Sequence, residues 1–177
     1  MILDFLKIAV NLKKVSRQGW IDKLSLNHPE SVADHSYSMA IIGMVLSDMR
    51  EYNSERILKM ILLHDLAEAR IGDFTPNQIG IKQKKKLENN AFNQIIGHLP
   101  DNVKSQYLQI WDDYQENASI ESKFVHQIDK LEMALQAKLY QKEGHSENKL
   151  KSFFVSAKKE IDDPKLKELF TKIINAN

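Results

Sequence analysis

The run His64-Asp65-Leu66-Ala67-Glu68-Ala69-Arg70-Ile71-Gly72-Asp73 sets four side chains able to hold a cation or move a proton, His64, Asp65, Glu68 and Asp73, inside ten positions. The stretch before it, Ser54 to Leu63, carries Ile57, Leu58, Ile61 and Leu62 at helical spacing. This predicts a helix, capped by Ser54, that continues along a buried face through His64 and Asp65 and stops at Gly72. A carboxylate buried among leucines is strongly destabilising unless it is paired, and a bound cation is the simplest compensation. Successive helical residues diverge by about 100°, so Glu68 follows one turn after both His64 and Asp65. One ion beside such a helix could touch His64 and Asp65, with Glu68 near enough to handle a proton.

Two more residues of this kind fall on other predicted helices. His35 lies in the first turns of a helix running from its cap, Ser31, to about Met49, on the side of Met39. Asp129 sits among Val125, Ile128 and Met133 on a helix capped by Ser119, whose apolar strip is Phe124, Ile128, Leu131, Leu135 and Leu139. Its neighbour Lys130 is expected to point elsewhere. His35, His64, Asp65 and Asp129 together make an N/O donor set suited to a first-row divalent metal. The cofactor expected is one divalent ion, Co, Mn, Zn, Fe, Ni or Mg, with positions left for water and a phosphate oxygen.

The pattern H…HD…D resembles the HD-domain superfamily of metal-dependent phosphohydrolases. Four strings look like its 5'-deoxynucleotidase branch, HD domain-containing 2-like proteins: Arg17-Gln18-Gly19-Trp20, Pro29 to Ser36, His64 to Glu68 with Gly72 to Pro76, and Gln127 to Glu132. The resemblance runs from about residue 10 to 170. It implies a helical homodimer that hydrolyses deoxyribonucleoside 5'-monophosphates to nucleoside and phosphate. It also implies roles: His35, His64, Asp65 and Asp129 as metal ligands, Glu68 as the catalytic acidic residue, and Arg17 orienting the phosphate. Trp20, Asp73, Phe74, Thr75 and Pro76 match substrate contacts, with His35, Asp65 and Asp129 also on the substrate side. Gln18 and Gly19 separate Arg17 from Trp20, which are adjacent in some bacterial members, and Glu88 falls near an acidic cluster of closer relatives. Other readings are an HD phosphohydrolase acting on a cyclic nucleotide or guanosine tetraphosphate, or an interaction module with a vestigial metal site. Glu68 argues against the module, because a purely structural ion does not require it.

The elements that must position these groups are all helical. Residues 2 to 15 carry Leu3, Leu6 and Val10 beside Phe5, Ala9 and Leu12, which predicts a core-facing helix. Residues 16 to 29 read as an ordered loop. Further helices are expected over 82–98, 102–115, 148–160 and from Asp163-Pro164 onward. The basic run Lys82 to Lys86 has no interleaved aromatics and reads as a solvated face, not a nucleic-acid patch. Tyr107, Trp111 and Tyr114, one turn apart, suggest core or a dimer interface. No segment shows strand alternation, so the class is all-α, one HD domain over residues 1–177. The chain has no cysteine, and 25 basic residues balance 24 acidic ones for a net charge of +1. Thiolate sites are excluded, and no global field attracts nucleic acid or anionic membrane. The start is not a signal peptide and no apolar run approaches a spanning length, so a soluble, cytoplasmic protein is expected.

Overall fold

The computed structural model describes residues 1–75 and 77–176. Pro76, one of the expected substrate contacts, lies outside the described residues. Among those residues the chain forms ten α-helices: α1 (Ile2–Asn11), α2 (Gln18–Leu24), α3 (Val32–Asp48), α4 (Ser54–His64), α5 (Glu68–Ile71), α6 (Ile81–Ile96), α7 (Asp101–Glu116), α8 (Ile120–Lys142), α9 (Glu147–Glu160) and α10 (Pro164–Asn175). A 3₁₀ turn, Leu12–Lys14, follows α1. The sole β contact among the described residues is an antiparallel bridge between Ser16 and Ser31. All-α is therefore the class, as expected.

The 23 residues of α8 span about 34 Å at 1.5 Å per residue, enough to cross the molecule. Around α8 pack α3, α4, α7, α9 and α10. The core they share includes Met39, Ile57, Ile61, Phe92, Ile95, Trp111, Ile128, Ala134 and Leu150, each almost wholly buried. Helices α3 and α4 cross so closely at Gly43 that a β-carbon there would overlap the end of Ile61. The three elements bearing the singled-out histidines and aspartates thus meet at one junction.

Several expectations need correction. Residues 18–24 form a helix, not a loop, because Trp20 and Leu24, four apart, both bury their side chains. Two apolar positions are too few to register as a period. In α1 the core side is Phe5, Ile8 and Ala9, while Leu3, Leu6 and Val10 are exposed. Asn53, not Ser54, caps α4, its side chain accepting from Arg56 N at 3.0 Å; the Ser54 hydroxyl is engaged by Ser47 and Asp48. Trp111 is core: it is buried, stacks on Phe92 at 4.0 Å and donates its indole N–H to Asn89 at 2.7 Å. It offers no exposed patch.

The start of α8 depends on a carboxylate from the preceding helix. Ser119 accepts from Ser122 N, and Asp113 in turn accepts from Ser119 N at 2.9 Å, Ser119 Oγ at 2.7 Å and Arg56 at 2.7 Å. Burial acts to raise the Asp113 pKa, but these donors outweigh it and hold the carboxyl below its ordinary value. A folded-state value below the unfolded one adds stability above the unfolded pKa that is lost as the pH falls. Asp113→Asn is therefore expected to lower unfolding stability by about 1–2 kcal/mol at pH 7. The gap from the parent should narrow as the pH falls below the ordinary carboxylate value of about 4 and the parent loses this contribution, as read by urea melts at pH 7 and across the acid range.

Candidate active site

Helix α4 ends one residue earlier than its apolar pattern suggests. His64 is its last residue, and Asp65, with φ −108° and ψ 9°, leaves the helix. The backbone then turns on tighter bonds, Leu66 N to Leu63 O at 3.1 Å, Glu68 N to Asp65 O at 3.0 Å and Ala69 N to Leu66 O at 3.2 Å, before α5 begins at Glu68. The expected continuous helix to Gly72 is thus broken, since bonds three residues back replace the four-back ladder. The break leaves Asp65 partly exposed while His64 and Glu68 remain buried.

His35 comes from the second turn of α3, after a capping box in which Ser31 Oγ accepts from Asp34 N. It is wholly buried, and its Nδ1 lies 2.6 Å from Glu132 Oε2 on α8. His64 Nδ1 lies 2.6 Å from the carbonyl of Ile61. A carbonyl can only accept, so Nδ1 of His64 carries a proton and its neutral ring presents the lone pair at Nε2. The Glu132 carboxylate sets His35 in the same way.

Both Nε2 atoms are buried without a hydrogen-bond partner. Asp129 Oδ1 stands 3.2 Å from His35 Nε2, and Asp65 Oδ2 stands 3.0 Å from His64 Nε2 and 4.0 Å from His35 Nε2. These groups are close yet are not aligned with one another, which is the arrangement of donors that share a third atom. These separations of 3.0 to 4.0 Å bring nitrogen and oxygen lone pairs around one small space, so the donor set fits a divalent ion. The tightest group is His35, His64 and Asp129, with ligand atoms all within 4.8 Å of one another. Asp65 adjoins it, drawn toward Arg17 NH1 at 3.6 Å.

These residues edge a cleft of about 520 Å³, also lined by Arg17, Trp20, Glu68, Asp73, Phe74 and Thr75. The described residues of the expected site are thus brought together, His35 lying just behind the wall. Arg17 lies 3.8 Å from Glu30 as well as near Asp65. Trp20 is almost fully buried between Tyr140 and Phe153 and donates its indole N–H to Glu30 at 2.8 Å. Asp73 accepts from Gln18 N at 2.8 Å, and Thr75 donates to Asp22 at 3.0 Å, so the irregular segment after α5 is strapped to α2. A cavity of about 590 Å³ beside α8 and α10 shares His126 with the cleft, but among the described residues it gathers no ligating cluster.

Sequence reasoning missed several members of the site. Lys130 does not point elsewhere: its ammonium is 3.1 Å from Asp129 Oδ2, because its long stem folds back along α8. Lys82, Lys85 and Lys86 are exposed, as a solvated face requires, but Lys84 turns into the cleft. Tyr114 packs edge-on against His64 and stacks on His126. Glu132 was visible only as part of a string; the signal that could have found it is its place three residues after Asp129 on an otherwise apolar helix face.

Electrostatics make the cluster attractive to cations. Burial and Arg17 act to lower the His35 pKa, yet Asp129 and Glu132 outweigh them and push it up to about 9. Asp65 is held well below the carboxylate range, burial being overcome by His64, His35 and Arg17. Glu68 is pushed well above it by burial and by Asp65 and Asp73, with Lys84 and Arg17 opposing. The same field that favours a proton on His35 favours a metal cation there.

The HD-domain family model matches residues 9–170. The chain belongs to the HD-domain family. It is 35% identical over 173 residues to the human 5'-deoxynucleotidase HDDC2, covering 97% of this chain and 84% of that one. The Dictyostelium discoideum protein of the same name is 39% identical over 178 residues, 94% of this chain and 93% of its own. The fold matches a crystal structure of a Pyrococcus horikoshii protein with a TM-score of 0.78 and 34% identity, covering 99% and 97% of the two chains. HD domains hold metal, and the His/Asp cluster of this chain can do so.

Glu132 reaches the ion site only through His35 Nδ1. Replacing it as Glu132→Gln should keep the helical fold but weaken metal binding about 10- to 100-fold, the usual cost of losing such an outer partner. Chelator competition followed by elemental analysis measures it; unchanged affinity would remove Glu132 from the account.

Proposed function

We propose that this protein is a metal-dependent 5'-deoxynucleotidase, hydrolysing deoxyribonucleoside 5'-monophosphates to deoxyribonucleoside and phosphate. The observation that carries the reading is the meeting of two unpartnered imidazole nitrogens with Asp65 and Asp129 at a cleft that also presents a free carboxylate oxygen, Glu68 Oε2. The substrate class is supported by relatives named 5'-deoxynucleotidase over nearly the whole chain. We read residues 1–177 as one HD domain.

A divalent ion held by His35, His64, Asp65 and Asp129 would neutralise phosphoryl charge and make water a stronger nucleophile at neutral pH. Arg17 has five N–H donors in a planar fork and only two long contacts, to Glu30 and Asp65, so it has donors to spare for phosphate. A cation held beside Glu68 would bring its carboxyl back toward the ionised form, and Oε2 can then accept a proton from the attacking water and return it to the 5' oxygen as the P–O bond breaks. Trp20, buried, and Phe74, half-buried, line the cleft and would wall the sugar end, where a bulky ring leaves little room for a 2'-hydroxyl. Unaided monophosphate hydrolysis is among the slowest of biological reactions, so these contributions must all act together.

A homodimer is part of the proposal. Its support is an exposed apolar stripe on α3, Tyr37, Ile41, Met44 and Val45, with Leu3, Leu6 and Val10 also exposed on α1. The partner is a second copy, not a nucleic-acid polymer or a membrane; no described helix is long and apolar enough to cross one. A cytoplasmic location suits a chain without cysteine.

Phosphate release from a panel of ribo- and deoxyribonucleotides with Mn²⁺, Co²⁺ or Mg²⁺ tests the substrate. We expect kcat/KM for dAMP to exceed that for AMP by about tenfold or more. Preference for a cyclic diester, or equal values for dAMP and AMP, would sink this assignment. Two carboxylates should separate by role. Asp129→Ala loses the ion and some thermal stability, whereas Glu68→Ala keeps both while turnover falls by about 10²- to 10⁴-fold. Ion loss in Glu68→Ala equal to that in Asp129→Ala would make Glu68 a ligand instead.

A further inference from the structure

The basic run at the start of α6 sends one side chain inward. Lys84 Nζ lies 2.9 Å from the carbonyl oxygen of Phe74, 3.5 Å from Glu68 Oε1, 3.5 Å from Glu88 Oε1 and 3.8 Å from Asp73 Oδ1. Glu88 is its neighbour one turn along α6, while Glu68 and Phe74 come from α5 and the irregular segment after it. Four protein oxygens surround the ammonium, the Phe74 carbonyl at ordinary hydrogen-bond length and the three carboxylates at longer range, so Lys84 is held mainly by the protein.

The two oxygens of Glu68 differ accordingly. Oε1 is held by Lys84, while Oε2 is buried with no hydrogen-bond partner. Among the described residues Lys84 is the one side-chain donor on Glu68. An ammonium anchored on the Phe74 carbonyl thus fixes which oxygen is held and which is left without a partner.

We propose that Lys84 is a positioning residue for this reaction: it clamps Glu68 Oε1 to the segment bearing Phe74 and so turns Oε2 toward the substrate. This rests on the reading of Glu68 as the proton-handling group. Lys84 remains charged in this setting, because Glu68, Glu88 and Asp73 outweigh the cost of its burial. Lys86, two residues on and exposed, is the control from the same run.

The test compares Lys84→Met, Lys84→Arg, Lys86→Met, Glu68→Gln and the double variant Lys84→Met/Glu68→Gln, all loaded with Mn²⁺ and assayed on dAMP. Lys84→Met should lose kcat by roughly 10²-fold, the cost of displacing a reacting group by about 1 Å, with KM and metal content near the parent's. Lys84→Arg should recover much of the loss and Lys86→Met should match the parent. The double variant should be no slower than Glu68→Gln, since both changes act through one group. A rise in KM with kcat unchanged, or additive losses in the double variant, would overturn the proposal and make Lys84 a substrate anchor. If the parent itself hydrolyses no monophosphate, the functional reading fails, and crystal structures of the parent and Lys84→Met decide the positioning separately. Glu68 turned away from its parent position supports the clamp, and Glu68 unmoved refutes it.

Discussion

The structure depends on the burial of unpaired imidazole nitrogens among carboxylates at the meeting point of α3, α4 and α8. Two Nε2 atoms without partners, beside acids held in the ionised form, would be a poor choice for stability alone. A cation between them satisfies both imidazoles and offsets the carboxylate charge in one step. Three helices distant in sequence are then tied by a single set of bonds. The hydrophobic core around Ile57, Ile61 and Ile128 brings these helices into register and fixes where that set can form.

Charge accounting in the cleft leads to the same conclusion. Five carboxylates, Asp65, Glu68, Asp73, Glu88 and Asp129, line it against three fixed cations, Arg17, Lys84 and Lys130. Burial and this acidic excess together push Glu68 upward, and a cation held in the cleft would offset both. Each fixed cation is committed differently: Lys130 is bound to Asp129 and approaches Glu160, Lys84 is enclosed by oxygens, and Arg17 keeps most of its donors free. That division leaves Arg17 as the group best prepared for an incoming anion.

A supporting network fixes the reactive groups from behind. The Glu30 carboxylate accepts from the Trp20 indole and faces Arg17, while the Glu30 backbone N–H donates to the Tyr140 hydroxyl at 3.1 Å. The bridge between Ser16 and Ser31, with Arg17 N donating to Glu30 O, carries α2 and the start of α3 as a unit. Asp73 and Thr75 then strap the far wall to α2. The residues proposed to contact substrate and metal are therefore held by one connected framework, which limits the loss of alignment that flexible loops would bring.

The helical class, the long helices α3, α4, α6, α7, α8, α9 and α10, and the capping residues Ser31, Ser119 and Asp163 were legible in the sequence, because apolar spacing and cap chemistry act over a few residues. So was the set His35, His64, Asp65 and Asp129, since ligating side chains on apolar faces stand out without knowledge of their neighbours. Only the tertiary structure decided that residues 18–24 are helical, that α4 breaks at Asp65, and that Leu3, Leu6 and Val10 face outward. Those outcomes rest on packing against Phe153, Tyr140 and the body of the molecule, which no local pattern encodes. Tertiary structure also decided that Lys84, alone in its basic run, faces Glu68, and that Glu132 sets the tautomer of His35. A lysine's role follows from which oxygens surround its ammonium, and those oxygens lie on other elements, ten or more residues away for Phe74 and Glu68.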